Sequence, residues 1–232
     1  MWQGKKKALT FSFDDGNWQD RKTVEVMNRY GLKGTFNLNS AGFGGKNILD
    51  WKGRKICRDK ILESEVKSLF EGHEVASHTV HHPDLNKLSE EEILKEIADD
   101  QKALEKLVGY EVRGFAYPLG FVDDRVVDTL KKTNLVYART VVDTNNFDMP
   151  ENLLRLDPTV HICNWEEVFA LAEKFLALKA DKPQTFYIWG HTYDFEFIDE
   201  GWDNFEKLCQ MLSGKEDIYY GTNMEVLQQW KN

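Results

Sequence analysis

Short apolar runs alternate with longer amphipathic stretches along the chain. The runs at 8–13, 34–39, 74–77, 114–117, 136–141 and 185–189, with a late one at 217–220, are mostly apolar or aromatic and close on Gly, Pro or Asp. Brief runs bounded in this way predict buried strands. Between them, 20–30 carries Val24, Met27 and Tyr30 at core-like helical spacing. LSEEEILKEIADDQKALEKLVG is the clearest helix. Ser89 and Glu92 form a capping box, Ile93, Ile97, Leu104, Leu107 and Val108 an apolar stripe, and Gly109 a stop. The segments 123–132, 165–179 and 203–212 read as further helices, and Thr222 with Glu225 opens a last one in TNMEVLQQW. Strands alternating with helices imply an α/β fold built on a parallel sheet. No linker or repeat interrupts the 232 residues, so one catalytic domain over 1–232 is expected.

Composition narrows the function classes. Hydrophobic residues make up 41% and charged residues 30%, as in a globular protein with a full core. No apolar run approaches the ~18 residues of a membrane helix, so no membrane segment is expected. The N-terminal residues lack the apolar region of a signal peptide, which predicts a cytoplasmic protein, or a secreted one if a leader has been removed. Cys57, Cys163 and Cys209 are scattered, which indicates neither a disulfide framework nor a cysteine zinc site. The net charge is −9 and Lys5–Lys6–Lys7 is the only compact basic run, so no nucleic-acid partner is expected. That balance fits a neutral or partly cationic substrate more easily than a polyanion.

Parallel α/β sheets form sites at the C-terminal ends of their strands. The first strand ends in Asp14–Asp15–Gly16, the third in SHTVHH with His78, His81 and His82, the fourth in AYPLG, and the sixth in WGH with His191. Four of the chain's six histidines therefore fall at strand ends. His78 and His82 are spaced to face one metal ion, with His78 and His81 as the competing pair. Pro83 disfavours helical geometry at His82, which predicts a loop or short turn there. Two histidines with a carboxylate from Asp14 or Asp15 suit zinc or non-haem iron. The carboxylate left over could take a proton from the metal's water, and His191 could protonate a leaving group.

In this order, TFSFDDG, GHEVASHTVHHPDLNKLS, GFAYPLG and WGH resemble the motifs of the polysaccharide deacetylase family, the NodB-homology domain of carbohydrate esterase family 4. The resemblance runs from about Lys7 to His191. It implies a distorted parallel (β/α) barrel of about seven strands and a divalent metal, usually zinc. Carried over by position, Asp14 is the general base and His191 the general acid. Asp15, His78 and His82 are the metal ligands, and His81 is not. The backbone N–H of Leu119 is the oxyanion donor. The implied reaction is hydrolysis of N-acetyl groups on an amino-sugar polymer or oligomer, with metal-bound water attacking the acetyl carbonyl. Two alternatives remain: hydrolysis of another non-peptide C–N bond on a small amide, and a silent carbohydrate-binding module. Trp18, two residues past the first motif, is a candidate substrate contact.

The chain departs from the family pattern at three places. Ala116 stands where the third motif carries an arginine that contacts the base, and Arg113 or Arg139 would have to reach in from elsewhere. Leu119 stands where an aromatic is common. The aspartate that orders the acid histidine has two candidates, Asp143 and Asp148, in RTVVDTNNFDMP.

Overall fold

The computed structural model describes residues 1–231. Its centre is β1 (Lys7–Asp14), buried at every position. Side chains alternate across a strand, and here both faces are covered. Leu9, Phe11 and Phe13 join the main apolar core with Val24 and Met27 of α1 (Asp20–Arg29) and Phe205 and Leu208 of α6 (Gly201–Leu212). Thr10, Ser12 and Asp14 take the other face, where each finds a polar partner: Asn223 for Thr10, Asn37 for Ser12, and Arg139 for Asp14. One face of β1 thus meets a layer of buried polar side chains, and the other a conventional apolar core.

β2 (Gly34–Leu38) and β9 (Gln184–His191) flank β1, all in parallel. Beyond β2 come β5 (Glu74–Ser77), β6 (Gly114–Ala116) and β7 (Tyr137–Arg139), and beyond β9 lies β8 (Val160–His161). These seven strands curl into a half-barrel. β10 (Ile218–Tyr220) adds to the N-terminal half of β1 at Lys7–Leu9, while β2 pairs with its C-terminal half from Phe11 onward. One edge of β1 therefore serves two partners, which is the distortion that the resemblance implies. Leu156, just before β8, makes a parallel bridge to Arg139 of β7, so one irregular segment touches both ends of the curl.

The expected strands all form, with ends moved by one or two residues. Three features were not anticipated: the two-residue β8, a hairpin off the main sheet and a short helix before β5. β3 (Ile48–Trp51) and β4 (Arg54–Cys57) make an antiparallel hairpin off the main sheet. Its turn, Lys52–Gly53, has both φ values positive, the geometry a two-residue hairpin favours. A short α2 (Val66–Leu69) precedes β5. The predicted capping box closes α3 (Glu90–Val108): the Ser89 N–H donates to Glu92 Oε2 at 2.8 Å, and Gly109 ends the helix at φ +83°. α4 (Asp124–Leu130), α5 (Trp165–Ala177) and α7 (Asn223–Lys231) complete the helices. Thr222 and Glu225 cap α7 reciprocally at 3.0 and 3.2 Å.

Candidate active site

Strand register assembles the site. Asp14 lies beside Asn37 of β2 on one side and His191 of β9 on the other. Ala116 of β6 lies beside Arg139 of β7. The chain is strained where these strands end. Asp15 (φ +82°), Thr79 (φ +68°), His82 (φ +56°) and Leu119 (φ +59°) are non-glycine residues in left-handed backbone, a conformation that costs about 1–3 kcal/mol each. Pro83 excludes the helical alternative at His82, as the sequence anticipates.

Asp14 and Asp15 sit in different surroundings. Asp14 stays on the strand and turns inward. Arg139 Nη2 donates to both of its carboxylate oxygens at 2.5 Å, and Asn37 Nδ2 donates to Oδ1 at 2.8 Å. Arg139 is fully buried, stacked over Trp189 at 4.6 Å. An arginine on the next strand therefore meets the carboxylate that Ala116 cannot reach. Asp15 turns off the strand. Its Oδ1 faces His82 Nε2 at 3.8 Å, and its Oδ2 accepts from Arg58 Nη2 at 2.9 Å.

Asp15, His78 and His82 offer ligand atoms that all lie within 4.8 Å of one another. His78 Nδ1 meets the Ala116 carbonyl at 2.8 Å. A carbonyl only accepts, so Nδ1 carries the proton and Nε2 keeps its lone pair for a metal. Burial also holds His78 neutral, lowering its pKa to about 4 against the pull of Asp14. Two imidazoles and a carboxylate on a half-open cleft are the donor set of a zinc-type site with room for water. His81 is turned away, exposed and bonded to Glu96 at 2.7 Å. The choice left open between His81 and His82 falls to His82 in this geometry. His73 lies at the other end of β5, bonded to Asn28 and the Gly34 N–H.

His191 meets a carboxylate that sequence reasoning missed. Its N–H donates to Asp194 Oδ2 at 2.7 Å, and its Nδ1 lies 3.4 Å from the same oxygen. Neither earlier candidate does this. Asp143 bonds Trp189 Nε1 at 2.7 Å and the His161 N–H at 3.0 Å. Asp148 pairs with Lys182 and Gln184 at the start of β9, far along that strand from His191. The signal for Asp194 was present as a three-residue spacing in HTYD. His161, which sequence reasoning did not single out, lies with its Nε2 3.4 Å from Asp194 Oδ2. Gly190 leaves the space: a Cβ there would sit 2.5 Å from Ile162 and 3.1 Å from Asp194 Oδ2.

The electrostatics separate the groups. Burial alone would raise the Asp14 pKa, but Arg139, His78 and His191 outweigh it and hold the carboxylate ionised. Asp15 is likewise pulled down against burial, by His191, Lys60 and the two ligand histidines. Burial opposes a charge on His191, yet Asp194, Asp15 and Asp14 together raise its pKa to about 9. The result is a carboxylate held ionised beside an imidazole held protonated. Leu119 lies in the turn after β6, half-exposed. Trp18 is exposed in a neighbouring groove shared with Lys60, Arg21 and Leu62.

Comparison with known proteins fits this fold. The family model described as polysaccharide deacetylase matches residues 3–138. A chitin deacetylase of Amylomyces rouxii is 28% identical over 137 residues, 59% of this chain and 29% of that one. A peptidoglycan-N-acetylglucosamine deacetylase of Bacillus cereus is 24% identical over 150 residues, 56% of this chain and 54% of that one. The chain thus spans about half or less of these relatives. Among solved structures, a family 4 carbohydrate esterase from Streptomyces lividans in complex with acetate superposes with a TM-score of 0.57 at 16% identity, covering 94% of this chain and 92% of that one. A mutant of a Bacillus anthracis family 4 pseudoenzyme, with restored activity, gives 0.62 at 19%, covering 97% and 68%. These two show a shared fold. Since the family model takes in more than half of the sequence, including both aspartates and the HTVHH loop, the chain belongs to the polysaccharide deacetylase family.

Proposed function

We propose that this chain is a metal-dependent hydrolase that removes N-acetyl groups from an amino-sugar substrate. One observation carries the reading: three metal-type donors cluster at the strand ends where a carboxylate kept ionised lies beside an imidazole kept protonated. Asp15, His78 and His82 would hold the metal, most simply zinc. Once bound, such an ion lowers the pKa of a water to ~7 and polarises the acyl carbonyl.

The chain's own residues would do the rest. Asp14 accepts the proton of the attacking water. Arg139 keeps Asp14 ionised and, with Asn37, fixes its orientation. The backbone N–H of Leu119 stabilises the oxyanion, and its left-handed backbone belongs to the strain gathered at this site. His191 gives its proton to the departing nitrogen as the C–N bond breaks, releasing acetate and a free amine. Asp194 positions the ring and stabilises its cationic form.

The test is acetate release from N-acetylglucosamine oligomers by zinc-loaded and by chelated protein. Release that stops on chelation and returns with zinc is expected. Full activity after metal stripping would sink the reading, as would tight sugar binding with a filled metal site and no release.

A further inference from the structure

The chain carries a net charge of −9, yet one wall of the site is cationic. Arg58 and Lys60 both turn onto Asp15. Arg58 Nη2 donates to Oδ2 at 2.9 Å, and Lys60 Nζ donates to the Asp15 carbonyl at 2.6 Å and lies 3.6 Å from Oδ2. Neither is a swinging surface side chain. The segment leaving the hairpin is clamped to the Asp14–Asp15–Gly16 turn by Trp18 N–H to Asp59 O at 2.8 Å and Ile61 N–H to Gly16 O at 3.0 Å, with a bridge between Asn17 and Lys60. The Arg58 guanidinium lies over the Tyr193 ring at 4.4 Å, and Tyr193 stacks on His191 at 4.8 Å. Arg58 Nε is buried without a hydrogen-bond partner.

These two cations share a cleft of about 320 Å³ with Asn39 and His82, beside the three donor groups. Among the described residues that line the cleft, Asp15 is the one carboxylate, and a metal would claim its charge as well. A divalent ion with Arg58 and Lys60 makes an excess of positive charge, and cations this close weaken metal binding by repulsion. Nothing within the cleft offsets it. An anion arriving with the substrate would, and a clamped guanidinium presents the fork geometry that binds carboxylate or phosphate.

We infer that this cleft receives an acidic substituent of the substrate. The substrate class is then an N-acetylated amino sugar bearing a carboxylate or a phosphate, with Arg58 and Lys60 as its specificity determinants. This rests on the deacetylase reading above. The local field thus opposes the preference for a neutral or cationic substrate that the overall charge suggests.

Calorimetric binding of three probes to zinc-loaded protein tests it: N-acetylglucosamine, N-acetylglucosamine 6-phosphate and N-acetylmuramic acid. At least one acidic sugar should bind about tenfold or more tightly than the neutral one, with the advantage shrinking as salt is added. The tighter of the two identifies phosphate or carboxylate as the natural group. Arg58→Gln and Lys60→Gln should each reduce that preference about fivefold or more, while Arg58→Lys keeps most of it. Zinc content and near-UV circular dichroism, measured on each variant, separate this from lost metal or lost fold. Equal or absent binding of all three sugars overturns the inference, as does a preference that survives both glutamine variants. Acetate release is scored separately. Turnover of neutral sugars without acidic preference defeats only this inference, whereas acidic preference without turnover of any sugar defeats only the hydrolase reading.

Discussion

Two buried carboxylates lie in the polar layer on one face of the sheet, one near each end of its strands, and β7 serves both. At the C-terminal strand ends, Asp14 is held by Arg139. Deeper in, Glu74 is held by the Tyr137 hydroxyl at 2.9 Å, the Thr35 hydroxyl at 2.7 Å and the Met224 N–H at 2.9 Å. Tyr137 and Arg139 are two residues apart on one strand, so their side chains leave the same face. The outcomes are opposite. Arg139 outweighs the burial of Asp14 and keeps it charged. Glu74 has neutral donors, and burial wins, so its pKa rises. A buried carboxylate with a matched cation stays ionised, and one with neutral donors is pushed toward its protonated form. Asp14 sits among charged groups at the strand ends, whereas the deeper cluster ties β2, β5, β7 and the start of α7 together.

The largest expected difference is in rate. Asp14→Asn should cut acetate release about 10²–10⁴-fold while zinc content stays at one ion per chain, and Asp15→Ala or His78→Ala should lose the ion itself. Glu74→Gln should change the rate less than about threefold. If Asp14→Asn instead empties the site of zinc, the two aspartates have exchanged roles.

Stability should separate the two partners next. Arg139→Gln leaves Asp14 buried without its cation and should cost about 3–5 kcal/mol in urea unfolding. Tyr137→Phe removes one neutral donor from Glu74 and should cost about 1–3 kcal/mol. Equal losses would show that Arg139 does not set the charge of Asp14.

A smaller effect concerns the acid. Asp194 is the principal group raising the His191 pKa to about 9. Asp194→Asn should therefore move the alkaline limb of the pH–rate profile to lower pH, and Asp143→Asn should leave it in place. A limb unmoved by Asp194→Asn would remove Asp194 from the proton-transfer geometry.

The smallest effect is the pH dependence of stability, where the two carboxylates should act with opposite sign. The folded pKa of Asp14 is lowered, so its contribution is present above ~3.9 and is lost as pH falls through the folded value. The folded pKa of Glu74 is raised, so its contribution is present below ~4.3 and is lost as pH rises through the folded value. In unfolding measured across pH, Asp14→Asn should flatten the acid side and Glu74→Gln the alkaline side. Matching profiles for the two variants would end the distinction.

What was legible in the sequence was local. Caps such as Ser89 with Glu92 lie three residues apart, buried strands announce themselves as apolar runs, and strand ends carry the DDG, HTVHH and WGH groups. Local spacing sufficed to nominate Asp14, Asp15, His78, His82 and His191. The hairpin at β3 and β4 went unread, because it is largely exposed and lacks the apolar run that marks a core strand; its Lys52–Gly53 turn was the one signal. The α/β alternation of the sheet also followed from sequence alone, because hydrophobic period reports which faces are buried.

Tertiary structure decided the partners. Arg139 is 125 residues from Asp14 in the chain, and only the parallel register of β6 and β7 lays it beside the empty place at Ala116. Arg58 reaches Asp15 because an irregular segment is pinned to the first turn, and irregular backbone has no period to read. Asp194 is near in sequence, yet its choice over Asp143 depends on how β9 ends against β8. A charged group's role depends on which charges come within a few ångströms. Folding sets those distances between segments far apart in the chain, so residue type and spacing name the reacting groups, and the fold determines their charge state.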